Sequence, residues 1–312
     1  MHIAVISHHR LPVKGYGGPQ RVVVALVHGL VELGHRVTVI AAPGSKLATA
    51  PVIEVPPRDL RDAGPRLAAV VPKDADIVHV HAPLLTWPLA IPLVQTFHSN
   101  GKPGKPLPAN TVFLSRDHAA RHGGTTFVHN GLVASEFTFR RRKEAWSLFL
   151  GRLHSTKGYH WAIEAAKRTG RRLILAGGWR PSFSPEIKYV GEVDDKQKAA
   201  LLARARCLWT PALWDEPFGL ASIEALFSGT PVLGTRRGAL PEIITPDVGA
   251  LADTLEELLE ASQQIHTRDP ECCRARAEQN FSHLSMAAGY VRLYEAVRSS
   301  GKLPASPPPA AS

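Results

Sequence analysis

The sequence predicts an α/β protein with two domains, each built on a parallel β-sheet. Its 312 residues suit about two domains of roughly 150 residues each. The 44% hydrophobic content is sufficient for packed cores. Short β-branched segments alternate with segments of helical periodicity, which is typical of parallel α/β layers. This alternation begins at the N-terminus and again near residue 147, so the chain divides into two halves.

The first half, residues 1–143, is predicted to form one Rossmann-like domain. Its predicted strands are 2–8, 36–42, 51–55, 77–82, 92–98, 111–115 and 126–129. Its predicted helices are 19–34, 58–70 and 116–122. The loop before the first helix is rich in glycine and ends in Pro19, a residue that suits the first turn of a helix. Glycines there let the backbone approach a ligand, and the helix N-terminus favours a phosphate.

The second half, residues 144–283, repeats the pattern and predicts a second Rossmann-like domain. The predicted strands are 147–152, 171–177, 188–193, 207–211, 231–235 and 249–252. The predicted helices are 158–169, 195–206, 218–228 and 239–244, with Asp194-Asp195 as an N-cap rather than a metal site. A last helix, within 284–300, carries apolar residues on one face. Residues 301–312 have the composition of a disordered tail.

The charge of the chain lies mainly in its first half. Of the net charge of +10, residues 1–143 carry +9, from 17 Lys and Arg against 8 Asp and Glu. This excess favours either plain solubility or peripheral contact with an anionic acceptor or an anionic membrane. The run Arg140–Lys143 is interpreted as a solvated linker. No basic stretch is interleaved with aromatic residues, so nucleic-acid binding is not expected.

Cysteine usage and hydropathy predict a cytoplasmic protein. No apolar run reaches the roughly 18 residues needed to cross a bilayer, and the chain opens directly with an apolar strand instead of a leader. Cys272 and Cys273 are adjacent and Cys207 is distant, which is neither a disulfide framework nor a zinc spacing. His79 and His81 share one face of a strand without a third ligand at a suitable spacing, so no metal site is expected.

The most informative segment runs from Trp214 to Thr235. It places Glu216 in a loop and Glu224 eight residues later, on a helix that is predicted to begin near Pro217. Gly219 and Leu220 then fall in the first turn, where backbone N–H groups lack intrahelical partners and favour an anion. A molecule with a phosphate and several hydroxyl groups would suit these N–H groups and the two carboxylates.

This segment resembles the Glu-x7-Glu signature of family 4, the retaining, nucleotide-sugar-dependent glycosyltransferases of the GT-B fold. The family pattern E-x-F-G-x-x-x-x-E-A-x-x-x-G-x-P-V is reproduced at each specified position. The resemblance implies two Rossmann-like domains facing across a cleft, with the last helix crossing back to the first domain. It also implies a nucleotide-sugar donor held by the second domain, retention of configuration at the sugar, and no metal or other cofactor.

The resemblance further assigns roles to residues of this chain. In the donor domain, Arg152 and Lys157 of the segment G-R-x-x-x-x-K-G would neutralise the departing pyrophosphate, and Glu216 would hold sugar hydroxyls or orient the donor. Glu224 would bind the ribose, and the backbone of Phe218, Gly219 and Leu220 would lie along the donor.

In the first domain, the resemblance implies that Gly17 and Gly18 approach the donor and that His98, at a strand end, meets the sugar. Two positions depart from the family pattern. Gln20 stands where a Glu is common, and Ser99 stands where Gly or Asp is common.

The sequence therefore predicts a glycosyltransferase that moves a hexose from a nucleoside diphosphate sugar, with UDP as the expected nucleotide, to an acceptor hydroxyl. The acceptor is open between a small molecule, a glycan and a lipid-linked sugar. One alternative is a catalytically silent homologue that binds carbohydrate or nucleotide sugar. Another is a sugar-nucleotide epimerase on the same fold. A phosphorylase is disfavoured, because it would need a cofactor lysine and a longer chain.

Overall fold

The computed structural model describes residues 1–13, 15, 17–61, 65–81, 84, 86–101 and 107–304. The chain folds into two compact units. The first comprises Met1–Leu132 together with the chain from Ser282 onward, and the second comprises Val133–Phe281. The predicted linker residues before 144 therefore belong to the second unit, and Ser282 and His283 belong to the first.

In the described part of the first unit, six parallel strands form one sheet in the order β3-β2-β1-β4-β5-β6. The strands are β1 (His2–Ser7), β2 (Arg36–Ala41), β3 (Val52–Glu54), β4 (Ile77–Val80), β5 (Leu93–Thr96) and β6 (Thr111–Val112). The residues of β1 and β4 are buried without interruption. Strands of a parallel sheet with covered faces have this burial.

Residues 133–281 are described throughout and contain a second parallel sheet, in the order β12-β11-β10-β7-β8-β9. Its strands are β7 (Ser147–Leu150), β8 (Leu173–Ala176), β9 (Ile187–Tyr189), β10 (Leu208–Thr210), β11 (Val232–Thr235) and β12 (Gly249–Ala252). Both sheets thus have the strand order of a doubly wound Rossmann-like domain.

Helices connect the strands in both units. In chain order they are α1 (Gly18–Glu32), α2 (Pro57–Arg61), α3 (Pro65–Val70), α4 (Arg116–Arg121), α5 (Tyr159–Thr169), α6 (Asp195–Arg204), α7 (Leu220–Phe227), α8 (Leu240–Ile243), α9 (Leu255–Gln264), α10 (Pro270–Phe281) and α11 (His283–Ser300). Asp194 caps α6, accepting from the backbone N–H of Gln197 while the Gln197 side chain accepts from the N–H of Asp194. This capping box agrees with the N-cap predicted at that position.

Helix α11 packs against the first unit, as expected for a last helix that returns there. His283 Nε2 lies 2.9 Å from Glu32 Oε2 of α1. Deeper in the unit, the Tyr294 hydroxyl lies 2.7 Å from Nδ1 of His79, and the Tyr290 hydroxyl lies 2.7 Å from Oγ1 of Thr96. The buried face of α11 therefore joins the sheet through hydrogen bonds as well as apolar contacts.

Several predicted elements differ from the structure. The predicted helix 58–70 is two helices, α2 and α3, with residues 62–64 between them outside the described residues. Pro65 begins the second, because proline has no N–H and suits a first turn. The predicted strand 126–129 is only a bridge between Phe113 and Phe127.

Helices α9 and α10 are not predicted from the sequence, although each begins at a recognisable residue. Thr254 caps α9 by accepting from the N–H of Glu257, and Pro270 is the first residue of α10. Helix α10 has a weak apolar pattern, since its buried residues are only Cys273, Ala277 and Phe281.

The described part of the predicted disordered tail is held in place. The N–H of Leu303 donates to Oδ1 of Asn110 at 3.0 Å, and Oγ1 of Thr126 donates to the carbonyl of Pro304 at 3.0 Å. Residues 301–304 are thus in contact with the first unit, and residues 305–312 lie outside the described residues.

Candidate active site

The second sheet reverses its winding between β7 and β10. From β7 the chain winds outward through β8 and β9, then returns to β10 on the other side of β7. The loops that follow β7 and β10 therefore diverge at the carboxyl edge of the sheet. Ligands of open α/β sheets bind in the crevice at such a switch point. The loops are residues 151–158 and 211–219. Five of the predicted site residues lie in them: Arg152, Lys157, Glu216, Phe218 and Gly219.

Three side chains from these loops contact one another. Nζ of Lys157 lies 2.8 Å from Oε1 and 2.7 Å from Oε2 of Glu216, and both side chains are about one-fifth exposed. The indole Nε1 of Trp214 donates to Oε2 of Glu216 at 2.9 Å. The Lys157 ammonium also lies 4.8 Å from the centre of the Trp214 ring, within cation–π range. Lys157 and Glu216, two separately predicted site residues, thus meet at the switch point, although 59 residues separate them in the chain.

Close backbone packing holds this cluster in place. Gly158 has a left-handed φ of +68°, and a Cβ there would collide with the carbonyl oxygen of Pro211. The N–H of Leu213 donates to the carbonyl of Thr156 at 2.8 Å. A second left-handed glycine, Gly238, packs so closely against Glu216 that an added Cβ would collide with the backbone nitrogen and oxygen of Glu216. Only glycine fits these contacts, so they fix the chain on either side of the Lys157–Glu216 pair.

Glu224 lies in α7, one turn beyond the helix start, and is 4% exposed. Its Oε1 is 3.1 Å from Nζ of Lys198 on α6, and the same ammonium is 3.1 Å from Oδ1 of Asp195. The side chain of Lys198 is 14% exposed, so the ion pair is largely removed from water. Lys198 has no predicted role from the sequence, because the contact spans two helices.

Helix α7 begins three residues after Pro217, the earliest start that the sequence predicts. Gly219 is the N-cap with a φ of +108°, and Leu220 is the first helical residue, with no acidic side chain in the first turn. The N-terminus of this helix is therefore open to an anion. Phe218 is 2% exposed, with its ring edge-on to Phe281. Its side chain belongs to the core, which leaves only its backbone to face a ligand.

Arg152 lies in the loop after β7, where its side chain is exposed. Among the described residues, no ion-pair partner of its guanidinium is observed. An exposed guanidinium near Lys157 in sequence suits bidentate recognition of a phosphate. Arg152, Lys157, Glu216, Gly219 and Glu224 thus all follow strand ends at one edge of the second sheet or lie on helix α7.

The first unit has a switch point of its own, between β1 and β4. Gly17 is the N-cap of α1 and Gly18 its first residue, so the predicted glycines lie at a helix N-terminus that follows β1. Gln20 lies in the same first turn, and its Oε1 is buried with no hydrogen-bond partner among the described residues. His98 follows β5 at the same sheet edge.

His98 is held in its neutral form. Nε2 of His98 lies 2.9 Å from Nδ1 of His81, and the two rings stack. Burial, assisted by the neighbouring His118, lowers the pKa of His98 from 6.5 to about 3. His98 is therefore an uncharged hydrogen-bonding group near neutral pH. Nε2 of His81 is buried and has no partner among the described residues.

His79, on the same strand as His81, is a core residue. Its Nδ1 contacts the Tyr294 hydroxyl and its Nε2 contacts Oγ1 of Thr96, each at 2.7 Å. In the part of the chain that the structure describes, no group of three or more His, Cys, Asp and Glu is arranged to hold a metal ion.

The basic run is the solvated linker that the sequence predicts at Arg140, Arg141 and Arg142, which are exposed, but not at Lys143. Arg141 pairs with Glu271 at 2.7 Å, and Arg140 lies 3.7 Å from Glu144. Nζ of Lys143 donates to the carbonyls of Ala203 and Ser228 and to Oγ1 of Thr230 at 2.8–2.9 Å. Burial lowers the pKa of Lys143 to about 8. Lys143 therefore anchors the start of the second unit, whereas the three arginines stay exposed.

The remaining basic excess lies in the first unit. Residues 1–132 and 282–312 contain 16 Lys and Arg against 8 Asp and Glu, a net charge of +8. No helix among the described residues has the length and apolar character needed to cross a bilayer.

Two sheets of this topology and a cluster of paired charges at a switch point define a protein of the GT-B type. Two family models match adjoining parts of the chain: "Glycosyltransferase Family 4" over residues 16–134 and "Glycosyl transferases group 1" over residues 135–280. Together they cover most of the 312 residues. The chain therefore belongs to the group 1 and family 4 glycosyltransferases, and the predicted GT-B fold class is confirmed.

The chain is similar to several known members. It is 38% identical over 114 residues to the MMP alpha-(1->4)-mannosyltransferase of Mycolicibacterium hassiacum, covering 33% of this chain and 27% of that one. It is 37% identical over 199 residues to the GDP-mannose-dependent alpha-(1-6)-phosphatidylinositol dimannoside mannosyltransferase of Mycobacterium tuberculosis, covering 54% of this chain and 52% of that one. These matches span about a quarter and about half of the relatives' lengths.

A solved structure is similar along nearly the whole chain. AviGT4, a glycosyltransferase involved in avilamycin A biosynthesis, superposes with a TM-score of 0.79 at 27% identity, covering 96% of this chain and 98% of AviGT4.

Proposed function

We propose that this protein is a glycosyltransferase that moves a sugar from a nucleoside diphosphate sugar to an acceptor hydroxyl. The observation that carries the proposal is the Lys157–Glu216 pair at the switch point of the second unit, with both side chains partly exposed. A sugar bound through a diphosphate presents an anion next to several hydroxyl groups. An ammonium that contacts a carboxylate offers complementary partners for both at adjacent positions.

The charges available at this edge suit the leaving group. As the bond from the sugar to the diphosphate breaks, negative charge grows on the diphosphate. Lys157, Arg152 and the N-terminal N–H groups of α7 would stabilise that charge. Losing one such preorganised donor costs on the order of 10²–10³ in rate. Glu216 would accept from sugar hydroxyls and Glu224 from the ribose.

The reaction would proceed with retention of configuration. The support is the resemblance to the Glu-x7-Glu signature, which implies attack on the face that the leaving group departs from. The acceptor hydroxyl would then pass its proton to the departing phosphate, so no enzymic base is needed. A neutral His98, with its pKa lowered to about 3, would serve as a hydrogen-bonding group to the sugar. Neither a metal nor another cofactor is part of this scheme.

The names of the relatives bear on which base and which sugar the donor carries. The resemblance in the sequence favours a UDP-sugar. The M. tuberculosis relative, whose match covers 54% of this chain, carries GDP-mannose in its name. That name favours a mannosyl donor with guanine as the base. The acceptor would be a polyhydroxylated molecule, and the inositol lipid in the same name makes a lipid-linked acceptor one of the classes to test.

The proposal is tested by slow hydrolysis of the donor, which needs no acceptor. The full chain is incubated with UDP-glucose, GDP-mannose and ADP-glucose, and release of nucleoside diphosphate is measured. The configuration of the freed sugar is followed by NMR before it mutarotates. We expect one donor to be hydrolysed with retention and Lys157→Met to lose about 10²-fold or more. A silent binding homologue would bind a donor without turnover, and an epimerase would convert the sugar while it stays on the nucleotide.

A further inference from the structure

Trp214 connects the two charged residues of the proposed site. Its indole N–H donates to Oε2 of Glu216 at 2.9 Å, while its ring lies 4.8 Å from Nζ of Lys157. Trp214 is half-buried in the loop that follows β10, two residues before Glu216. No other aromatic residue among those described contacts both members of the pair.

The hydrogen bonds within the cluster do not use every N–H and every acceptor position, so a nucleotide sugar can still bind there. An ammonium has three N–H donors, and Lys157 directs two of them at Glu216. A carboxylate has about four acceptor positions, and Lys157 and Trp214 together occupy three of those on Glu216. Among the described residues, one N–H of Lys157 and one acceptor position of Glu216 therefore stay available.

Binding a diphosphate would change this arrangement. The phosphate competes with Glu216 for the N–H groups of Lys157, since both are anions. The phosphate can take the available N–H of Lys157 first, and each further N–H that turns to it removes a partner from Glu216. The carboxylate would then be free to rotate unless another donor held it, and a rotating carboxylate orients a sugar poorly.

We propose that Trp214 is a positioning residue, which holds the Glu216 carboxylate through its indole N–H when the donor diphosphate draws Lys157 away. Its ring face keeps the ammonium beside the carboxylate before the donor arrives and after it leaves. This inference rests on the proposed function, because it assigns the diphosphate to Lys157 and the sugar to Glu216.

Trp214→Phe separates the two contacts of the indole. Phenylalanine keeps an aromatic face for Lys157 but has no N–H for Glu216. The expected result is a kcat for donor hydrolysis lowered by about 10- to 100-fold, the range for losing a hydrogen bond to a charged group. The Kd for the nucleoside diphosphate should change by less than about threefold. The phenylalanine ring still offers Lys157 a cation–π contact, and the lost N–H bound Glu216 rather than the nucleotide. Trp214→His, which retains an N–H donor, should recover part of the lost kcat.

The same unit offers a matched control. Trp146 also donates its indole N–H to a carboxylate, Oε2 of Glu144, at 2.7 Å, and lies just before β7 at the opposite edge of the sheet. Trp146→Phe deletes the same kind of hydrogen bond away from the switch point. Its kcat and Kd should stay within about twofold of the unmodified protein, the scatter expected for a surface change.

The experiment measures kcat, KM and melting temperature for the unmodified chain and these variants, together with Kd for the nucleoside diphosphate. A selective fall in kcat for Trp214→Phe, with partial recovery in Trp214→His, supports the inference. An unchanged kcat in Trp214→Phe overturns it, as does a loss of kcat matched by Trp146→Phe. If Trp214→Phe does not fold, a Trp214→His variant with no more activity than Trp214→Leu overturns it. If the unmodified chain neither binds nor hydrolyses any donor, the proposed function itself fails.

Discussion

The ion pair between Glu224 and Lys198 ties the stability of the second unit to its nucleotide affinity. Replacing Glu224 by Gln keeps the shape of the side chain and removes its charge. Among the described residues, Asp195, whose side chain is 65% exposed, is then the remaining carboxylate beside Lys198, which is 14% exposed. Removing one partner of a buried pair costs about 3–5 kcal/mol, and a remaining exposed partner returns roughly 0–1 kcal/mol.

We therefore expect Glu224→Gln to lower the free energy of unfolding by about 2–5 kcal/mol. For a unit of this size that loss corresponds to a melting temperature lower by about 4–20 °C. Lys198→Met should be similarly destabilising, because it leaves the Glu224 carboxylate, 4% exposed, without its ammonium. The double variant should recover about 1–3 kcal/mol relative to the sum of the single changes.

Nucleotide affinity supplies the second measurement. If Glu224 accepts from the ribose, Glu224→Gln should also weaken binding of the nucleoside diphosphate by roughly 1–3 kcal/mol. The control is Glu164→Gln, which removes a partner from the exposed pair with Arg168, where both side chains are 46% exposed. Calorimetric melting and titration of each variant check both values. A Glu224→Gln variant that melts and binds like the control would contradict both the stabilising ion pair and the ribose contact.

Three further outcomes are expected. Glu216→Gln should lower kcat by about tenfold or more, while the Kd for the nucleoside diphosphate should change little. Kinetics and titration on the same sample measure both. Equal losses of nucleotide affinity in this variant and in Glu224→Gln would contradict the assignment of Glu216 to the sugar and Glu224 to the ribose. Gly158→Ala should lower the melting temperature and the donor affinity together, since its Cβ would collide with the carbonyl of Pro211; an unchanged melt would contradict that packing. Burial lowers the pKa of His79 from 6.5 to about 3, so the unfolded chain binds more protons below pH 6.5. The contribution of His79 to stability is therefore complete above that pH and falls by about 1.4 kcal/mol per unit as the pH drops towards 3. Unfolding at several pH values should show a flatter slope for His79→Gln, and an identical slope would contradict it.

The parts of the site that the sequence predicts are those that lie within one local segment. Glu216, Gly219 and Glu224 belong to one loop and helix whose pattern indicates an anion site followed by buried helix residues. Lys157 is predictable because it lies between a strand end and a helix start. In each case the relevant spacing is short, so periodicity and turn chemistry suffice.

The contacts that the sequence does not predict join residues distant in the chain. Lys198 reaches Glu224 only because α6 and α7 pack together, 26 residues apart. Trp214 lies within the recognised segment, but its role depends on Lys157 arriving from a loop far away in sequence. In the sequence Lys143 is part of a charged run, yet in the structure its ammonium donates to carbonyl groups at the C-termini of α6 and α7. Such long-range contacts have no local signal.

We propose that a nucleoside diphosphate binds at the switch point of the second unit through Lys157. The most direct measurement is a calorimetric titration of the full chain with GDP, UDP and ADP, with and without EDTA. It is repeated on Lys157→Met and on Lys188→Met, which removes an exposed lysine on β9 of the same unit. We expect at least one nucleotide to bind more tightly than about millimolar, roughly −4 kcal/mol, with or without EDTA. Lys157→Met should weaken that binding by about tenfold or more, whereas Lys188→Met should leave it unchanged. Binding no tighter than about millimolar for all three nucleotides, or equal binding in Lys157→Met and the unmodified chain, would contradict the claim.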